Sequence, residues 1–167
     1  MASPKKSKSA KATFAAGCFW GVEDIFMKVK GVKSTTVGYT GGHTKNPAYQ
    51  EVCTGTTGHA EAVRVEFDPK TVSFKELLGI FFRLHDPTTK NRQGPDIGRQ
   101  YRSAIFFHSS AQEKQARDFA RALGKFGQWE EPIVTEIVAA SPFYPAEEYH
   151  QKYFQKHPLL AACHALK

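Results

Sequence analysis

The sequence predicts an α+β fold: a ferredoxin-like βαββαβ core with a mixed sheet, additional C-terminal helices and a two-layer sandwich. Three observations carry this prediction. Apolar or alternating runs of strand length recur near 12–16, 33–39, 60–67 and 102–107. Stretches with helical spacing lie between them, near 19–29 and 74–84. The chain shows no internal repeat and no linker that would divide it.

The elements follow in order. Ala12-Thr13-Phe14-Ala15-Ala16 is a short apolar strand. Phe19, Val22, Phe26 and Val29 then recur at helical spacing, and Gly31 is placed to stop that helix. A strand over 33–39 leads into a long Gly/Asn/Pro loop over 40–58. The next strand, near 60–67, precedes a helix over 74–84, which opens on a capping-box pattern from Ser73 to Glu76. A second polar loop over 86–100 leads to the strand near 102–107. A helix begins near Ser110, with capping-box spacing to Glu113, and runs to about Gly124. A strand near 133–139 and a helix near 146–156 complete the chain. We expect helices mainly on one face of the sheet. We divide the chain into a basic tail (1–11), a single catalytic domain (12–158) and a C-terminal tail (159–167) carrying Cys163.

Composition narrows the function. The 167 residues suit one domain with a sizeable core, and 41% hydrophobic content is ordinary for a globular protein. No apolar run approaches the ~18 residues of a membrane helix. The N-terminal segment lacks the apolar core of a secretion signal. Net charge is +7, and Lys5, Lys6, Lys8 and Lys11 of the tail supply much of it. The folded part is therefore only modestly basic, without the clustered basic face or motif of a nucleic-acid binder. Three widely spaced cysteines are an odd number for a disulfide framework and point to a reducing compartment. The expectation is a cytoplasmic protein with no membrane and no nucleic-acid partner.

The chemistry centres on Gly17-Cys18-Phe19-Trp20-Gly21, at a strand-to-helix junction. A cysteine at a helix N-terminus meets unpaired N–H groups and the positive end of the helix dipole, which favour the thiolate. The other reading of Cys18 is a buried core thiol. The flanking glycines argue against it, because they suit a tight turn or a close approach. Glu61 opens a strand and shares a face with Val63, Val65 and Phe67, while Arg64 and Glu66 lie on the other face. A carboxyl there is partly desolvated, which raises its pKa. Loops longer than ~12–15 residues are often functional, and both long loops carry Tyr49, Asp96 and Tyr101 near their ends. His59 could tune Glu61 or simply pack. His85 precedes Asp86-Pro87 at a helix end, where it can cap carbonyls.

The motifs extend along most of the chain. They are Gly17-Cys18-Phe19-Trp20-Gly21, Gly38-Tyr39-Thr40-Gly41-Gly42, Asn46 to Cys53, Thr57 to Val63, His85-Asp86-Pro87, Asp96 to Ser103 and Phe143 to Gln151. In this order and spacing the chain resembles the A-class peptide methionine sulfoxide reductases over about residues 12–158. The resemblance implies reduction of methionine (S)-S-oxide, free or in proteins, without metal, flavin or nucleotide. It implies Cys18 as nucleophile, Glu61 as the acid, and Tyr49 and Tyr101 as hydrogen-bond donors to the sulfoxide oxygen. Asp96 would help hold the site, and Phe19 with Trp20 would cage the S-methyl group. A sulfenic acid on Cys18 would condense with a second thiol. Cys163 is the resolving candidate, Cys53 is the alternative, and thioredoxin is the expected external reductant. This tail differs from many in the family, with one cysteine and no glycine. The protein is expected to act as a monomer.

Three rival readings stand beside this one. A cysteine hydrolase would use Cys18 with His59 or His43 as base. A metal site would draw on the cysteines and histidines, although no Cys-x-x-Cys or short His pairing supports it. A non-catalytic binding module with a basic tail would survive loss of Cys18.

Overall fold

The structure is a computed structural model and describes residues 9–160. Strand β1 (Ala10–Ala16), helix α1 (Phe19–Met27), strands β2 (Val32–Thr40) and β3 (Ala60–Phe67), helix α3 (Phe74–Leu84) and strand β6 (Ser103–Phe107) form the βαββαβ core. In the sheet these strands lie in the order β6-β1-β3-β2, all antiparallel, as the ferredoxin-like plan requires. Strand β7 (Glu136–Ala139) joins β6 in parallel, and β8 (Tyr144–Pro145) joins β2 antiparallel. The sheet is therefore mixed, as expected. Among the described residues no helix is long and apolar enough to cross a membrane.

Alternation along the strands builds two different faces. Phe14, Val37, Val63, Val65 and Ile105 face the helices and are buried there. Phe14 is the hub: its ring stacks on Phe26 of α1 at 5.1 Å and on Phe81 of α3 at 5.2 Å. Such pairs add about 0.5–1.5 kcal/mol each beyond area burial. The opposite face carries Ala15, Ala60, Ala62 and Ala104, all fully buried, with Phe106 and Phe143. Helix α4 (Ser110–Phe126) packs against α3, β6 and β7.

Several local expectations need correction. The loop over 40–58 contains the one-turn helix α2 (Tyr49–Cys53). The loop over 86–100 contains a two-residue ladder, β4 (Arg92–Gln93) with β5 (Asp96–Ile97), and a 3-10 turn over Arg99–Tyr101. No continuous helix spans 146–156. A 3-10 turn over Glu148–His150 and helix α5 (Tyr153–Lys156) are separated by Lys152, whose φ of 54° breaks the run. The cap of α4 is Ser109 rather than Ser110, with its hydroxyl accepting from the Gln112 amide, while Glu113 pairs with Arg117. The Ser73 cap of α3 does form, accepting from the Glu76 amide at 3.0 Å. His85 caps the same helix, its Nδ1 lying 2.7 Å from the Phe81 carbonyl.

Candidate active site

The site starts at the end of β1. Gly17 adopts φ 93°, a conformation that side-chain-bearing residues rarely take, and this turns the chain into α1. Cys18 is therefore the N-cap residue of α1 and is half-buried. The Phe19 amide, the first of the helix, donates to Glu61 Oε1 at 3.3 Å. An N–H group of the helix start thus serves the carboxyl, while Cys18 sits at the positive end of the same helix.

Glu61 lies on the helix-facing side of β3 and is only 2% exposed. Burial pushes its carboxyl up to about 8; the Phe19 amide opposes the shift, and the charge of Asp96 adds to it. Directly across the ladder is Tyr39 of β2, fully buried with its ring 5.8 Å from Phe19. Tyr49, at the start of α2, and Tyr101, in the 3-10 turn, complete the polar wall. Both phenols are held protonated well above their ordinary range, first by burial. The charge of Glu61 also bears on both, and those of Asp96 and Cys18 on Tyr101.

Cys18, Phe19, Trp20, Tyr49, Glu61, Asp96 and Tyr101 line one pocket of about 240 Å³. Every expected site residue in the described part of the chain therefore meets in one place. The remaining one, Cys163, lies outside the described residues. Cys53 is exposed, one helical turn after Tyr49, whose hydroxyl donates towards the Cys53 sulfur.

His59 does not line this pocket. Its Nδ1 accepts the Gly42 amide at 3.0 Å, and its Nε2 lies 2.7 Å from the Thr44 carbonyl. Both ring nitrogens are committed to pinning the loop, which removes His59 as the base of a hydrolase. Among the described residues no group of three His, Cys, Asp or Glu side chains is disposed to hold a metal ion.

Four contributors escaped sequence reasoning. His150 is buried, its Nδ1 accepting from Trp20 Nε1 at 3.0 Å while its ring lies 4.4 Å from Tyr49. Tyr153 stacks on Trp20 at 3.7 Å. Glu23 of α1 accepts from Thr35 Oγ1 at 2.8 Å and from the Lys152 amide at 2.6 Å, tying the C-terminal segment to the helix. Glu147 accepts from Tyr39 and from the Tyr49 amide. A signal existed for Glu23, which stands four residues after Phe19 on the buried stripe of α1. The others lie in a segment without periodicity.

Comparison with known proteins agrees with this geometry. The family model described as peptide methionine sulfoxide reductase matches residues 10–167. "Peptide methionine sulfoxide reductase MsrA" of Methanosarcina acetivorans is 62% identical over 146 residues, covering 87% of this chain and 78% of the relative. Reduced Mxr1 from Saccharomyces cerevisiae superposes with a TM-score of 0.90 at 39% identity, over 99% of this chain and 96% of that one. Mxr1 in complex with Trx2 gives a TM-score of 0.66 at 28% identity, over 99% and 95% of the two chains. Matched by that family model over residues 10–167 and, over 87% of its own length, by a relative at 62% identity, the chain belongs to the peptide methionine sulfoxide reductase family.

Proposed function

We propose that Cys18, Glu61, Tyr49 and Tyr101 perform the thiol-dependent reduction of methionine sulfoxide, and that the substrate is the S epimer, free or in proteins. The observation that carries this reading is the Phe19 amide bond to Glu61, which sets a neutral carboxyl beside a helix-start cysteine. A sulfoxide sulfur is a poor electrophile until its oxygen is protonated or strongly hydrogen-bonded. Oε1 of Glu61 accepts the Phe19 amide, so the carboxyl proton resides on Oε2. Tyr49 and Tyr101 donate to the sulfoxide oxygen and stay protonated throughout the working range. Asp96 supports the acid by raising its pKa. Phe19 and Trp20 wall the methyl group.

The Cys18 thiolate attacks the sulfoxide sulfur while Glu61 gives its proton to the oxygen. The attack forms a bond between the two sulfurs. That bond and the substrate S–O bond then break as the hydroxyl passes to the Cys18 sulfur, leaving methionine and a Cys18 sulfenic acid. The cysteine sulfur is oxidised by two electrons and the substrate sulfur reduced by two. Cys163 then condenses with the sulfenic acid, forming a disulfide and releasing water. Thioredoxin returns both thiols by exchange; the Trx2 complex of the similar Mxr1 supports this. The reading extends to a single catalytic domain over 12–158 in a cytoplasmic monomer, without prosthetic group, membrane or nucleic-acid partner. The odd cysteine count supports the reducing compartment.

The test is chiral analysis of racemic blocked methionine sulfoxide after incubation with the protein and dithiothreitol, beside Cys18→Ser. Loss of the S epimer alone, abolished in the variant, is expected. Loss of the R epimer alone would overturn the stereochemical assignment. Loss of neither would overturn the reading.

A further inference from the structure

We propose that Glu147 is a positioning residue for the reaction, fixing Tyr49 against the pocket through the Tyr49 backbone amide. This rests on the reading of Tyr49 as a donor to the sulfoxide oxygen. Tyr49 opens a helix of only five residues inside a long loop. So short a helix does not sustain itself, and its first amides have no partner within it. Glu147 supplies one: its Oε2 accepts the Tyr49 amide at 3.1 Å. Its Oε1 accepts the Tyr39 hydroxyl at 3.0 Å.

This one carboxylate therefore joins three separate segments. Tyr39 is fully buried and is the cross-strand partner of Glu61, so it is fixed to the floor that carries the acid. The C-terminal segment supplies the carboxylate, and the loop over 40–58 supplies Tyr49. Through Glu147 the Tyr49 backbone is referenced to the same strand pair that holds Glu61. The side chain does not line the pocket, so its effect must pass through its partners.

The charge state suits this task. Burial works against ionisation of Glu147, but the backbone amides of Glu147 and Tyr49 and the Tyr39 hydroxyl outweigh it and hold the carboxyl below its ordinary value. Two carboxyls near one site are thus driven apart, Glu61 towards the acid and Glu147 towards the anion. Hydrogen bonds to an ionised acceptor are the stronger kind. Glu147→Gln keeps the volume and an acceptor for Tyr39. Its single carbonyl oxygen, however, cannot accept from the Tyr39 hydroxyl and the Tyr49 amide together, and the charge that strengthens both bonds is lost.

The experiment is a single-turnover cycle with N-acetyl methionine sulfoxide, comparing wild type, Glu147→Gln, Tyr49→Phe and the double variant. Misplacement of about 1 Å can cost on the order of 100-fold, so Glu147→Gln should lose about 10- to 100-fold. In the Tyr49→Phe background the same change should cost under about threefold, because both act through one phenol. The alkaline fall in rate set by Glu61 should not move. A wild-type rate in Glu147→Gln beside a slow Tyr49→Phe would overturn this proposal alone. Additive losses would also overturn it, since a general structural role gives additivity. A wild-type rate in Tyr49→Phe would overturn the reading of Tyr49 and this proposal with it. Should Glu147→Gln fail to fold, Glu147→Asp carries the same cycle, retaining the charge and shortening the reach by one methylene.

Discussion

The Phe19 amide and the Glu61 carboxyl meet at 3.3 Å, one residue beyond Cys18. Two effects compete on that carboxyl. The helix N-terminus favours its anion, whereas burial to 2% exposure favours its neutral form. Burial prevails and pushes the carboxyl up to about 8. A buried acid so close to the nucleophile is a proton source at neutral pH, which an exposed glutamate is not.

Glu61→Gln is expected to slow the reduction step by roughly 10²–10⁴-fold, the usual scale for a lost general acid. In the wild type the single-turnover rate should fall above about pH 8, where Glu61 loses its proton. The variant should show no such fall from this group. Rapid-mixing measurements across pH would decide it, and a near-wild-type rate in the variant would remove Glu61 from the mechanism.

The same shift has a consequence for stability. The folded Glu61 binds its proton up to about 8, against an ordinary value of 4.5. Between these values the folded state holds more protons than the unfolded chain, so stability falls as pH rises through that window. The contribution is fully present below the unfolded value and gone above about 8. Its size is on the order of a few kcal/mol. Glu61→Gln should flatten this part of the profile in urea titrations at several pH values. Glu23, also raised by burial, keeps its own slope of the same sign in both proteins. Parallel profiles would show that Glu61 is not desolvated as the structure has it.

Gly42→Ala should lower stability by about 1–3 kcal/mol, the usual cost of overpacking. A methyl group at Gly42 would sit 2.4 Å from both the His59 nitrogen and the Thr57 carbonyl oxygen. Both are backbone atoms, so neither can swing away. The same turn pins the loop that carries Tyr49, and reduction should slow as well. A shifted urea midpoint together with a reduced single-turnover rate is the expected pair of results. An unchanged midpoint would mean that the loop yields without cost.

What was legible in the sequence follows from periodicity. Phe19, Val22 and Phe26 announced α1, and the alternation in β3 placed Glu61 with Val63 and Val65 on the buried face, as the structure has it. Ser73 marked the start of α3 because the cap is a local interaction between residues three apart. Local signals could not bring Asp96 and Tyr101 to Cys18; the family resemblance of the motifs implied it. Nor could they show the broken C-terminal segment. The helix expected near 146–156 does not form as one piece, because the segment is shaped by distant partners: Glu23 holds the Lys152 amide and Trp20 holds His150. Tertiary contacts overrode propensity there. Two glutamates, buried Glu23 and half-buried Glu147, organise that region, and neither is conspicuous in a chain with 16 acidic residues.

Cys163→Ser should preserve one reduction per enzyme molecule and stall turnover with thioredoxin. A sulfenic acid on Cys18 needs a thiol that can reach it. Cys53 is constrained: it sits in α2, and although the residue is exposed, partial covering of its thiol outweighs the donated Tyr49 hydroxyl bond and pushes the thiol up. A raised pKa leaves less of the attacking thiolate. Leu159, four residues ahead of Cys163, is 97% exposed. Cys53→Ser should therefore turn over with thioredoxin at close to the wild-type rate. Mass spectrometry after one turnover should find a Cys18–Cys163 disulfide and a mass loss of one water from the sulfenic acid. Sustained thioredoxin turnover in Cys163→Ser, lost only when Cys53 is also replaced, would assign resolution to Cys53. Turnover that survives both replacements would mean direct reduction of the sulfenic acid.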